Sequence, residues 1–165
     1  MNVTEYESLM VNHQYEKAMS LLPSIPMKYM DKLAKFLDSI DLKEAAFDLV
    51  QDVDHKFELA LQLNKINEAY GLALKENNIN KWKQIGDLAL INGHFQIAID
   101  SLKAANDING LFLIFSSLGM KDELKSLAEK AIESTRYNIA FSCYFLLVSL
   151  IYLNTINISI FLFIF

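Results

Sequence analysis

Apolar residues recur every three or four positions through most of this chain, the spacing that gathers side chains on one face of an α-helix. In the stretches FELALQL and WKQIGDLAL, Phe57, Ala60 and Leu61, and then Trp82, Ile85, Leu88 and Ala89, fall on single faces. Strand-like alternation is absent until the last residues. With only 5 glycines and 2 prolines to punctuate the chain, the pattern predicts helix after helix and an all-α fold.

The periodicity is itself organised. A ten-residue template, consisting of an apolar pair, a four-residue gap, an apolar residue, two more residues and an alanine, can be laid on the chain four times. The copies are Leu9, Met10, Tyr15, Ala18; Phe36, Leu37, Leu42, Ala45; Ala60, Leu61, Ile66, Ala69; and Ala89, Leu90, Phe95, Ala98. Each gap holds residues that tolerate a helix end, Asn12-His13, Asp38-Ser39, Asn64-Lys65 and Asn92-Gly93. The template therefore predicts the corner of a helical hairpin, with the alanine where two helix axes come close. Offsets of 27, 24 and 29 residues between copies suit hairpins stacked one on the next, so the predicted fold is an α-solenoid of stacked helical hairpins, TPR-like. A weaker fifth hairpin is expected from LFLIFSSLGM, ending at Gly119, and residues 122 to 134, and YNIAFSCYFLLV begins another helix. Pro23 and Pro26 separate the first hairpin from the second. Since one hairpin cannot bury its apolar face alone and neither end shows a polar cap, the chain reads as a piece of a longer array.

Charge changes the picture at one end. Residues 137 to 165 contain no Asp, Glu, Lys or Arg, so all 35 charged side chains lie in the first 136 residues. The run FLLVSLIYLNTINISIFLFIF, residues 145 to 165, has the length of a bilayer span, and Lys125, Lys130 and Arg136 before it would keep the body cytosolic. Ser149, Asn154, Thr155, Asn157 and Ser159 interrupt it and make it a marginal span. Phe145 and Leu146 continue the apolar face of Phe141 and are expected to pack within a solenoid helix. A net charge of -5 and the lack of a basic stripe argue against nucleic acid as a partner. The single cysteine, Cys143, excludes an internal disulfide, and the acidic opening MNVTEYESLM is no signal peptide, so a cytoplasmic protein is expected. The sequons Asn2-Val3-Thr4 and Asn157-Ile158-Ser159 are read as chance triplets.

No set of residues predicts catalysis, a cofactor or a metal. His13, His55 and His94 fall near hairpin corners without a second ligand at metal spacing, and are read as partly exposed turn histidines. Glu44, Asp48 and Asp52, four apart, would put three carboxylates on one helical face, read as solvated. Cys143 lies in an apolar helix with no base beside it in sequence, which predicts an inert buried thiol. Lys81-Trp82-Lys83 could stack on a nucleic acid, yet Trp82 is expected to pack between hairpins. Glycine-rich phosphate loops are missing, and no small-molecule substrate is implied. The residues point to a non-enzyme.

Residues 56 to 115 contain FELALQL (57 to 63), AYGLA (69 to 73), KWKQIGDLAL (81 to 90), FQIA (95 to 98) and GLFLI (110 to 114). In this order they resemble the helical region of the β′ subunit of coatomer, the COPI vesicle coat. LPSIP at 22 to 26 and NIAFSCYFL at 138 to 146 extend the resemblance over roughly residues 5 to 146. It implies a structural and adaptor role in vesicle-mediated protein transport between Golgi and endoplasmic reticulum. The implied partners are the coatomer α subunit and the other coatomer subunits, with peripheral association with the Golgi or vesicle membrane. Dilysine cargo recognition belongs to the family's β-propellers; no strand-rich segment is present here, so no binding residue is carried over. After Leu146 the resemblance stops, which predicts residues 1-146 as the α-solenoid segment and 147-165 as an apolar tail foreign to the family. That tail is expected to be a gene-model or truncation artefact, with a transmembrane anchor as the alternative.

Overall fold

The computed structural model describes residues 2–76 and 78–149. It divides into two compact units, one up to residue 77 and one from residue 78 onward. Every regular element among the described residues is helical.

In the first unit α1 (Asn2–Val11) and α2 (Tyr15–Leu21) form one hairpin, α3 (Met30–Ser39) and α4 (Lys43–Leu49) a second, and α5 (Val53–Gln62) and α6 (Ile66–Glu76) a third. Between α2 and α3 the chain makes two 3-10 turns, Leu22–Ser24 and Met27–Tyr29, because Pro23 opens the first and Pro26, with φ -62° and ψ 142°, is extended. Thus the two prolines separate the hairpins as their positions predict. The second unit pairs α7 (Ile79–Ile91) with α8 (Phe95–Ala104) and α9 (Ile108–Ser117) with α10 (Lys121–Glu133), and a further helix, α11, runs over 137–149. Hairpins following one another within each unit are the arrangement expected of an α-solenoid.

One device makes seven of the corners among the described residues. His13, Asp41, Asn64, Gly93, Asn106, Gly119 and Thr135 each take a left-handed conformation, with φ between 52° and 74°. At each, the next N–H reaches five residues back and the left-handed residue's own N–H reaches three back: Gln14 to Leu9 and His13 to Met10, Leu42 to Leu37 and Asp41 to Asp38, His94 to Ala89 and Gly93 to Leu90. This is the Schellman cap, which satisfies the carbonyls that a helix end would otherwise leave bare. Asn, Asp and His bear the left-handed conformation with little strain, whereas a β-branched residue does not. Thr135 is the outlier, so Thr135→Gly should raise stability by about 1 kcal/mol, read as a higher urea midpoint; an unchanged midpoint would mean that the Thr135 side chain compensates elsewhere.

Aligned on the left-handed residue, the repeat becomes exact where the sequence template was not. Ala18, Ala46, Ala69 and Ala98 each stand five positions after it, and all four are fully buried. The second copy of the template is therefore one residue out: Asp38 and Ser39 are the last turn of α3, the corner is at Asp41, and the packed alanine is Ala46 rather than the half-buried Ala45. Spacings between the first four hairpin corners are accordingly 28, 23 and 29 residues. The fifth hairpin places Leu124 at the alanine position, also fully buried, which explains its weaker match.

In the second unit Leu102 of α8 is closely approached by two glycines. A Cβ on Gly86 of α7 would lie 2.8 Å from its Cγ and Cδ2, and one on Gly110 of α9 would lie 3.0 Å from both its methyl groups. Two glycines on two helices thus make room for one fully buried leucine.

The expected boundary between Leu146 and Leu147 falls inside α11, which continues through residue 149. Residues 150–165, the rest of the expected tail, lie outside the described residues, as does the sequon at Asn157. Among the described residues no helix is long and apolar enough to cross a membrane.

Candidate protein-protein interface

The polar residues singled out in the sequence are distributed among corners and caps. His13 is the left-handed residue of the first corner, its Nδ1 2.7 Å from the Tyr15 hydroxyl. His94 is exposed at the N-cap of α8. His55 departs from the turn-histidine expectation: it lies in the first turn of α5 with its side chain only 11% exposed, and its Nε2 is 3.2 Å from Asp38 Oδ2 on α3. Burial against α3, rather than a corner, sets its surroundings.

Glu44, Asp48 and Asp52 do not share a helix face. α4 ends at Leu49, so Asp52 lies beyond it and caps α5 by accepting the His55 N–H at 3.1 Å. Glu44 instead accepts the Lys65 ammonium at 2.6 Å; this hydrogen bond raises the Lys65 pKa, and Lys65 Nζ also lies 4.2 Å from the centre of the Phe47 ring. Cys143 is fully buried, and burial pushes its thiol up, away from nucleophilic chemistry. Lys81 and Trp82 are both nearly buried in α7, so the Lys-Trp-Lys triplet offers no stacking platform. Lys83 reaches Asp107 at 3.4 Å. Asn2 of the first sequon lies in α1 and donates to Ser24 Oγ at 2.7 Å. Among the described residues no three His, Cys, Asp or Glu side chains are grouped to hold a metal.

Two carboxylates with structural work were not singled out in the sequence. Asp31 on α3 accepts the N–H of Gln51 at 2.7 Å and of Asp52 at 2.9 Å, tying the α4–α5 linker to α3; the Asp52 and Gln51 N–H groups hold its pKa low. Asp107 caps α9 by accepting from Gly110 N–H at 3.0 Å. Partial burial works to raise its pKa, but the Gly110 N–H, Lys83 and the Asn109 N–H outweigh it and leave it lowered. A lowered folded pKa contributes stability that is present above the ordinary carboxylate value, about 3.9, and is lost as pH falls through the folded value. Asp107→Asn, which keeps a capping oxygen, should therefore be less stable than the parent near neutrality and equal to it at the acid end, as urea titrations across pH would show; a difference independent of pH would contradict the assignment.

Several large apolar side chains lie on the accessible surface among the polar ones. Val11, Tyr15, Met19, Ile91, Phe95, Leu113 and Leu118 are all exposed. α11 has two apolar faces. Ile139, Ala140 and Cys143 are buried, while Tyr137, Phe141, Tyr144, Phe145 and Val148 face outward. The expectation that Phe145 and Leu146 pack into the solenoid along the face of Phe141 is reversed for Phe145, which stacks on Phe141 at the surface, centroids 6.2 Å apart, while Leu146 is half-buried. Contiguous exposed apolar side chains of this kind mark sites for other protein surfaces.

An all-α array of capped hairpins, with apolar patches outside and no assembled polar centre among the described residues, defines a helical-repeat scaffold. The chain belongs to the COPA/B TPR domain family, whose model matches residues 6–157. The match extends past Leu146, beyond the limit the sequence motifs gave. Relatives include coatomer subunit beta'-1 of Arabidopsis thaliana, 38% identical over 147 residues, which are 89% of this chain and 16% of the relative. Coatomer subunit beta'-1 of Oryza sativa subsp. japonica is 37% identical over the same shares. Coatomer subunit beta' of Rattus norvegicus is 35% identical over 146 residues, 88% of this chain and 16% of the relative. The chain spans about one sixth of the length of these relatives.

Proposed function

We propose that this chain acts as a structural, non-catalytic segment of a COPI vesicle coat subunit of the β′ type, working through protein-protein contacts in transport between Golgi and endoplasmic reticulum and within the Golgi. Its partners are the coatomer α subunit and, through it, the other coatomer subunits. It resides in the cytoplasm and reaches Golgi and vesicle membranes peripherally, as part of the coat. The observation that carries this reading is the ordered similarity to coatomer β′ subunits over 89% of the chain. The surface supports it, because a stack of hairpins with outward apolar residues suits lateral contacts between coat subunits.

Co-expression with the coatomer α subunit tests it. The chain should co-purify with that subunit in stoichiometric amount and resist a wash at high salt, since apolar contacts are not screened as surface ion pairs are. A folded chain that the α subunit does not retain would refute the proposal.

A further inference from the structure

Each unit carries an apolar notch at a hairpin corner, and four positions that line one notch also line the other, with different residues. Counted from the left-handed residue, His13 in one unit and Gly93 in the other, Met10 and Leu90 stand three before, Val11 and Ile91 two before, and Tyr15 and Phe95 two after. The next hairpin supplies Ile40 and Leu118, each immediately before its own left-handed residue, Asp41 or Gly119. These eight residues line the two notches, of about 170 and 400 Å³. Val11 is 56% and Ile91 83% exposed, Tyr15 43% and Phe95 46%.

The corner itself does not require this apolarity. Gln62 occupies the position of Val11 and Ile91 in the α5–α6 corner, which closes with the same pair of backbone hydrogen bonds, Lys65 to Ala60 and Asn64 to Leu61. Isolating an exposed branched residue and an exposed aromatic ring at matched positions twice therefore serves something outside the hairpin. The surroundings of the notches are matched as well. Glu7 and Asp87 stand one helical turn before Val11 and Ile91 on the same helix face, and Lys43 and Lys121 stand two residues after Asp41 and Gly119. Lys43, half-buried, lies 3.6 Å from the exposed Asp41, a pair that a partner's carboxylate can replace at little cost. Each notch thus has an acid one turn back along the helix that carries Val11 or Ile91, and a base in the first turn of the helix that follows its second corner.

We propose that each notch docks an α-helix of a partner protein, seating one large apolar side chain that is flanked, about one turn away, by Lys or Arg on one side and by Asp or Glu on the other. Burial of the apolar residue supplies affinity, and the two opposite charges fix the helix direction. This deepens the coat-scaffold reading and rests on it, since it names where a partner subunit would engage.

The test uses the full chain and a synthetic helical peptide carrying a central Leu, with Lys one turn before it and Glu one turn after, followed by fluorescence anisotropy. The peptide should bind saturably. Val11→Gln and Ile91→Gln should each remove one class of site, and the double variant should weaken binding at least tenfold, with helical content and melting temperature little changed because Gln62 already occupies this position in the α5–α6 corner. Peptides with Lys on both sides or Glu on both sides should bind more weakly. Binding equal to that of a peptide with Ser in place of Leu, or undiminished in the double variant, would overturn the proposal; so would sedimentation showing that the notches are filled by a second copy of the chain. If no peptide binds and the double variant still retains coatomer α, the notch proposal fails and the coat reading stands. If the parent binds the peptide and no coatomer subunit, the coat reading alone fails.

Discussion

Gly86→Ala should destabilise the second unit by about 1–3 kcal/mol, although alanine is the better helix former by about 1 kcal/mol. The sign follows from Leu102: the added methyl would lie 2.8 Å from its Cγ and Cδ2, and Leu102 is fully buried, with Gly110 of α9 also packed near its methyl groups, so it has little room to shift. Gly71 is the internal control. It sits inside α6 with nothing within 4 Å of where a Cβ would be, so Gly71→Ala should stabilise by about 0.5–1 kcal/mol. Leu102→Ala alone should cost about 2–5 kcal/mol for the lost burial and the cavity. In the double variant Gly86→Ala, Leu102→Ala, the new methyl enters the space that leucine leaves, and the cost should fall well below the sum. Urea denaturation of the four proteins would measure this cycle; additive effects would mean that Gly86 does not face Leu102.

The second large effect concerns neighbours in the chain. Ala46→Leu should destabilise by about 1–3 kcal/mol or more, because Ala46 is fully buried at the α3–α4 crossing and a larger side chain forces the helix axes apart. Ala45→Leu, at a half-buried position one residue earlier, should stay within about 0.5 kcal/mol of the parent. The sequence template places the critical alanine at 45. Equal effects at the two sites, or the larger effect at 45, would restore the template and contradict the corner at Asp41.

That one-residue disagreement shows where pattern reading is strong and where it stops. Three of the four corners were legible because Asn12-His13, Asn64 and Asn92-Gly93 bring turn chemistry to the place where the helix ends. In α3 the same chemistry misleads: Asp38 and Ser39 are inside the last turn, where Ser39 Oγ donates to the Phe36 carbonyl at 2.6 Å, and the chain reverses two residues later. Proximity in space without proximity in sequence was not legible at all. The Asp31 carboxylate meets the N–H groups of residues 20 and 21 positions away, and no periodicity announces that. Gly86 and Gly110 each read as ordinary weak points of a helix; only their shared contact with Leu102 gives them a role. The lack of a catalytic motif in the sequence gave no positive site, and the exposed apolar residues that take its place look, in sequence, like any others on a helical face.

The family resemblance was carried by motifs that coincide with these packing positions. FQIA contains Ala98, and AYGLA contains Ala69, both fully buried beside a corner. In this chain the crossing of two helices fixes the small residue of these motifs, and the Schellman cap fixes its distance from the turn. At α11 the constraint differs, since Phe141 and Phe145 face outward and pack on each other rather than into the core.

The central claim, that this chain is a working segment of a COPI coat subunit, is tested most directly by replacement. Residues 6–149 would be grafted in place of the matching segment of coatomer subunit beta'-1 from Arabidopsis thaliana, and the chimaera tested by size-exclusion chromatography for incorporation into complete coatomer. The account predicts that the chimaera elutes with the other coatomer subunits in parental proportion. A chimaera that is folded, as judged by its circular dichroism and cooperative melting, yet elutes alone would contradict it.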